Sequence, residues 1–223
     1  MNEIETALRE GRTLLSEYEA KRVLASYGVP VTREVPVQPG ADPGPAFQEI
    51  GLPLVLKGCS AGIAHKSERG LVMTDLRTFE QARAAFEDLS ARLGREGAVL
   101  VQEMVRGRRE LAVGLTRDPQ FGPCVMFGLG GIFAEALDDV VFRVAPLGKR
   151  DALEMMQEIR GRRILGPVRG LEPVDLDLLA HVLIQVGRLG LEQEKVKELD
   201  INPVIIAGSR PVAADALIVL EAS

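Results

Sequence analysis

Short apolar runs at strand period recur through most of the chain, and a few capped stretches at helical period interrupt them. That change of period restricts the fold more than any single residue does. Ser16-Glu17-Tyr18-Glu19 reads as a capping box, in which a hydroxyl and a carboxylate each satisfy an orphan backbone donor. Tyr18, Val23, Leu24 and Tyr27 give the helix an apolar stripe, and Gly28 with Pro30 ends it. Thr78-Phe79-Glu80-Gln81 opens another helix, with Phe79, Ala82, Phe86 and Leu89 on its inner face and Gly94 as its stop. Residues 151–160 and 175–191 follow helical period, the second with His181 in its stripe.

Strands are expected at 31–35, 53–57, 70–76, 98–104, 109–116, 124–127, 132–137 and 140–145. Residues 36–45, rich in proline and glycine, read as a loop, and Asp118-Pro119-Gln120-Phe121-Gly122 as a turn. Residues 197–206 and 211–219 flank Gly208-Ser209 as a hairpin. Early alternation of strand and helix followed by a strand-rich half implies an α/β or α+β fold in two lobes meeting near Met104.

Composition narrows function. Thirty-two acidic against 27 basic residues give a net charge of -5, and aromatics are 4% with no Trp. Both facts argue against nucleic-acid binding. Cys59 and Cys124 are too few for a disulfide scaffold or a four-cysteine zinc site. The charged start has no signal-peptide core, and no apolar run is long enough to span a membrane, so a cytoplasmic address is expected.

Two nucleotide motifs are excluded. Gly62-Ile63-Ala64-His65-Lys66-Ser67 has His where a Walker A loop needs Gly, and Gly128-Leu129-Gly130-Gly131 has its third glycine too early for a dinucleotide fingerprint. Other residues suit phosphate chemistry. Lys57 ends an apolar run, where an ammonium serves as a point charge for phosphate or reaches solvent. His65, in a small polar loop, is a base, a metal ligand, a phosphoryl acceptor or simply exposed. Gln102-Glu103-Met104 runs from strand to hinge, where backbone groups suit an adenine edge, and the nearby Glu110 suits ribose hydroxyls. The Gly128, Gly130 and Gly131 cluster either turns a hairpin or aims amides at an anion. Strand alternation puts Asp200 and Asn202 on one face, and counting outward from Gly208-Ser209 sets Asp215 beside Asn202. Few, hard oxygens of this kind suit Mg²⁺ that keeps its waters and bridges phosphates. Arg160-Gly161-Arg162-Arg163 with Arg169 reads as a solvated basic patch.

The ordered set Ser16–Lys21, Leu54–Lys57, His65–Ser67, Val101–Met104, Arg117–Pro123, Phe127–Gly131 and Glu198–Pro203 resembles a known family. It is similar to the ATP-grasp β subunit of NDP-forming acyl-CoA synthetases, the acetate–CoA ligase (ADP-forming) group related to succinyl-CoA synthetase. The resemblance runs from about Leu14 to Leu220. It implies an α+β ATP-grasp fold with two lobes enclosing a nucleotide cleft: residues 1–104 as an N-terminal helix and first lobe, and 105–223 as a second lobe with a Mg²⁺-binding hairpin.

The resemblance also assigns roles. Lys57 is expected on phosphate, Gln102, Glu103 and Met104 on adenine, Glu110 on ribose, and Gly128, Gly130 and Gly131 around the nucleotide. Asn202 and Asp215 are the expected Mg²⁺ ligands. His65 is the expected phosphohistidine, which succinyl-CoA synthetases lack, and Asp200 orients it or holds a water. The implied activity moves a phosphoryl group between His65 and ADP/ATP within acyl-CoA + ADP + phosphate ⇌ acid + CoA + ATP. A CoA-binding α subunit is the implied partner in a hetero-oligomer, and the Met1 start favours a separate subunit over a piece of a fusion. The alternative is a non-catalytic nucleotide- or metabolite-sensing module paired with a CoA-binding or acyltransferase protein.

Overall fold

The computed structural model describes residues 2–60, 70–94, 97–131, 139–168 and 170–221. They fall into two compact units, one holding Ser16–Tyr18 with Thr32–Met104, the other holding the chain up to Leu15, Glu19–Val31 and everything after Met104.

Two helices open the chain, α1 (Glu3–Arg9) and α2 (Glu17–Ser26). Helix α1 was not anticipated, although Asn2 and Glu5 form a capping box: the Asn2 side chain accepts from the Glu5 amide at 2.8 Å. Helix α1 and the part of α2 from Glu19 onward group with the larger unit, while Glu17 and Tyr18 group with the smaller one. Ile4, Ala7, Ala20, Val23 and Leu24 join the core of the larger unit, so apolar packing carries them there.

The smaller unit follows as β1 (Glu34–Val37), α3 (Gly44–Ile50), β2 (Leu54–Cys59), β3 (Val72–Leu76), α4 (Phe79–Leu93) and β4 (Ala98–Glu103). Its antiparallel sheet has the order β1-β4-β2-β3. The expected 36–45 loop is only partly a loop. Pro36 and Val37 belong to the edge strand β1, where a missing N–H costs no ladder bond. Pro45 sits in the first turn of α3, where its fixed φ suits a helix start. Phe47, Phe86 and Leu89 from the helices pack with Leu54, Leu56, Val99 and Val101 from the sheet. Alternation then turns Val55, Lys57, Leu100 and Gln102 to the opposite face. Phe79 is not on the inner face of α4 but 48% exposed, stacked on Phe47.

The larger unit contains β5 (Glu110–Asp118), β6 (Gly122–Leu129), β7 (Val140–Val144), α5 (Lys149–Glu158), α6 (Leu176–Glu192), β8 (Val196–Ala207), β9 (Arg210–Ala213) and β10 (Leu217–Leu220). The sheet order is β10-β8-β5-β6-β7, with β9 also pairing β8. The expected strand at 132–137 lies outside the described residues. Asp118 forms the anticipated turn by accepting from the Gln120 and Phe121 amides. His181 is exposed rather than part of the apolar stripe of α6; Leu179, Val182, Leu183 and Val186 make that face.

Two arginines fix the ends of this unit. Arg117 donates to the carbonyls of Gly190, Gln193 and Val196, satisfying acceptors at the C-terminal end of α6. Buried Arg109 donates to the carbonyls of Ile164, Gly166, Glu172 and Gly208, tying an irregular segment and the hairpin turn to the start of β5.

Candidate functional site

The candidate residues divide between the units, and each group has its own geometry. In the smaller unit Lys57 is not at a strand exit. It lies inside β2, opposite Leu100 of β4 and Val72 of β3. Its ammonium donates to Glu17 at 2.7 Å, with side chains only 7% and 0% exposed. Sequence reading placed Glu17 in a cap and gave no signal of this pairing, because 40 residues separate the partners. Gln102 is buried on the same sheet face as Lys57, opposite Val55. The Glu103 carboxylate accepts from the Arg33 amide at 2.8 Å and its guanidinium at 2.9 Å. The Met104 amide approaches the Pro53 carbonyl at 3.4 Å. His65 lies outside the described residues.

In the larger unit the hairpin brings Asn202 and Asp215 together. Val204 pairs with Ala213 of β9, Asp200 pairs with Leu217 of β10, and the Ala214 amide donates to the Pro203 carbonyl. That constant register sets Asn202 opposite Asp215. On the other side of β8 the register shifts: Leu111 pairs with Val204 but Val113 with Ile201, so Asn202 and Pro203 together oppose Ala112. The bulge switches the buried positions from Leu199 and Ile201 to Val204 and Ile206. Such a bulge re-aims side chains at a strand's functional end.

Glu110, Gly130, Gly131 and Asn202 also converge. The Gly130 amide donates to the Glu110 carbonyl at 2.9 Å, and the Gly131 amide to Asn202 Oδ1 at 3.1 Å. These amides therefore bind protein oxygens, not an open anion hole as one reading of the glycines had it. Glycine is required by close approach: a Cβ at Gly130 would fall 2.5 Å from the Leu111 carbonyl oxygen.

Asp200 sits on the outer sheet face in a concavity of about 300 Å³ lined by Met126, Phe142, Leu217 and Val219, with Gly114 opposite leaving room above the strand. It keeps contact with solvent, but its apolar neighbours displace part of its hydration. Desolvation and, second, the Asp215 carboxylate raise its carboxyl above the ordinary 3.8. A raised carboxyl binds its proton more tightly in the folded chain, so it lowers stability as pH climbs past the unfolded value. Asp200→Asn is expected to raise the melting temperature near neutral pH, with the gain shrinking as pH falls toward that ordinary value. A gain independent of pH would contradict this.

The donor set suits Mg²⁺. Asn202 and Asp215 offer an amide oxygen and a carboxylate, and the crowding of Asp200 with Asp215 is the repulsion a divalent cation relieves. Among the described residues no three His, Cys, Asp or Glu side chains converge. Among the described residues, too, no helix is long and apolar enough to cross a membrane.

A family model described as an ATP-grasp domain matches residues 6–220. The chain belongs to the ATP-grasp family. Within it, the chain is 45% identical to the β subunit of acetate–CoA ligase (ADP-forming) I from Pyrococcus furiosus, across 97% of this chain and 96% of that one. It is 40% identical to acetate–CoA ligase (ADP-forming) I of Archaeoglobus fulgidus across 97% of its own length, but corresponds to only 32% of that longer protein. Among solved ATP-grasp structures it matches a dinucleotide-forming acetyl-coenzyme A synthetase 1 of Ca. Korarchaeum cryptofilum, bound to coenzyme A and Ca-AMPCP. The TM-score there is 0.91 and the identity 41%, over 98% of both chains. A second structure of that protein holds Mg-AMPPCP, with a phosphohistidine segment pointing towards the nucleotide site; there the TM-score is 0.85 and the identity 42%, again over 98% of both chains.

Proposed function

We propose that this chain is the nucleotide-binding subunit of an ADP-forming acyl-CoA synthetase and carries a phosphoryl group between His65 and ADP/ATP. The observation that carries the reading is 45% identity sustained over nearly the whole of this chain and of an ADP-forming acetate–CoA ligase β subunit. The net reaction is acyl-CoA + ADP + phosphate ⇌ acid + CoA + ATP. A CoA-binding α subunit makes the acyl phosphate, and this chain completes the transfer to nucleotide. The hetero-oligomer works in the cytoplasm, where both nucleotide and CoA are available.

Each residue then has a task. Lys57 neutralises phosphate, held by Glu17 until nucleotide arrives. Gln102, Glu103 and Met104 border adenine, and Glu110 accepts from ribose hydroxyls. Gly128, Gly130 and Gly131 bring the end of β6 close to the nucleotide. Asn202 and Asp215 would hold Mg²⁺, which neutralises charge on the phosphates when bound. In the forward direction the α subunit's own histidine carries the phosphoryl group from the acyl phosphate, and an unprotonated His65 nitrogen attacks that phosphorus: a new N–P bond forms as the old N–P bond breaks, and the leaving imidazole keeps the electron pair. In the next step ADP attacks and the imidazole leaves. Asp200 accepts from the second imidazole nitrogen and fixes the tautomer.

Calorimetry with ADP tests the binding half of this reading. Mg²⁺ is expected to tighten ADP binding, and Asp215→Ala to weaken the metal's contribution by more than the roughly 10–100-fold typical of groups that merely support a ligand. No ADP binding with or without Mg²⁺ would overturn the reading.

A further inference from the structure

The glycine cluster has a consequence for the chemistry of Asn202. An Asn side chain presents either its oxygen or its NH₂ to a given point, and the two orientations differ only by a half-turn about a soft torsion. Only the oxygen ligates a cation. A neighbour that accepts one orientation and rejects the other therefore decides whether the residue is a ligand at all.

Gly131 is placed to make that decision. Its backbone N–H lies 3.1 Å from Asn202 Oδ1, and an NH₂ group at that position has no lone pair to accept it. The amide oxygen has two lone pairs, so accepting from Gly131 leaves one for a cation. The chain is brought there by the preceding residue: the Gly130 amide binds the Glu110 carbonyl at the start of β5, carrying the exit of β6 over β5 towards β8. Gly131 has φ +61, and a Cβ on it would fall 2.0 Å from Glu110 Oε2. Both facts demand glycine.

We propose that Gly131 is a positioning residue for the metal ligand Asn202: its N–H locks the side-chain amide with the oxygen available to Mg²⁺. This rests on the assignment of Asn202 to Mg²⁺ made above. It gives the glycine cluster a role distinct from cradling phosphate, since the amide is spent on a protein oxygen that in turn faces the cation. Groups that orient metal ligands contribute roughly 10–100-fold in metal affinity.

The test uses the full chain and compares ADP affinity in EDTA with ADP affinity in Mg²⁺; the ratio isolates the metal. Glu110→Ala removes the carboxylate that a new Cβ would strike and is expected to leave the ratio unchanged while weakening both affinities. Gly131→Ala in the Glu110→Ala background keeps the N–H but disfavours the φ of +61 that aims it at Asn202, and is expected to lower the ratio by roughly 10–100-fold relative to Glu110→Ala alone. A ratio equal to that of Glu110→Ala alone would overturn the proposal. Absence of ADP binding by the unmodified chain would instead count against the nucleotide reading itself. Where the double variant fails to fold, exchange of the Gly131 amide proton in Asn202→Ala carries the test: exchange at least tenfold faster supports the lock, and an unchanged rate overturns it.

Discussion

Glu17→Ala is expected to lower the unfolding free energy by about 3–5 kcal/mol, and Lys57→Ala by a similar amount. Both side chains are almost fully buried and meet at 2.7 Å, so either deletion removes a charge-assisted contact shielded from water and leaves the other buried charge less well compensated. Replacing both with methionine removes the two charges together and is expected to recover most of the loss, because an apolar pair of similar volume carries no desolvation cost. Urea unfolding followed by circular dichroism measures all four proteins; the chain has no Trp to report by fluorescence. Equal losses in the double and the single variants would contradict the account. The series also has a functional use. A Lys57 variant that fails to bind nucleotide has lost either its fold or its ammonium, and the double methionine variant keeps the first while removing the second.

That ion pair marks where sequence reading stops. Apolar period and turn chemistry gave the strands around Leu54, Val99 and Val125, the helices opened by Thr78 and Asp175, and the hairpin about Gly208. Each of those signals is local, within one turn or one pleat. The same counting set Asn202 beside Asp215, and the register of β8 with β9 and β10 agrees with it. The bulge against β5 left that pairing intact, because the extra residue on β8 is matched where the chain passes from β9 to β10. What was illegible is contact between distant segments: Glu17 with Lys57, Arg109 with four carbonyls, Gly131 with Asn202. No period encodes such pairs.

The glycines show a second kind of limit. Gly128-Leu129-Gly130-Gly131 signals only that backbone must approach something closely or adopt positive φ. The sequence offers an anion or a turn as the reason. The structure has backbone approaching backbone at Gly128 and Gly130, where a Cβ would fall 2.5 Å from a carbonyl oxygen, and a carboxylate over Gly131. Helix α3 was hidden for the opposite reason. Its prolines were read as breakers, yet proline in the first helical turn is favourable.

The second large effect concerns His65. Removing a nucleophile abolishes the covalent step while leaving the surrounding groups to bind nucleotide, so His65→Asn is expected to retain ADP affinity in Mg²⁺. Phosphoryl transfer asks the protein for position and charge neutralisation, which on the proposed reading Lys57 and the Mg²⁺ ligands would supply without the imidazole. Incubating the chain and the proposed CoA-binding partner subunit with γ-labelled ATP and Mg²⁺, then quenching in base, where phosphohistidine survives and phosphoserine does not, tests the central claim most directly. The account predicts label on this chain in the unmodified protein and a loss of roughly 10³-fold or more in the rate of labelling in His65→Asn. Undiminished labelling of His65→Asn would contradict it.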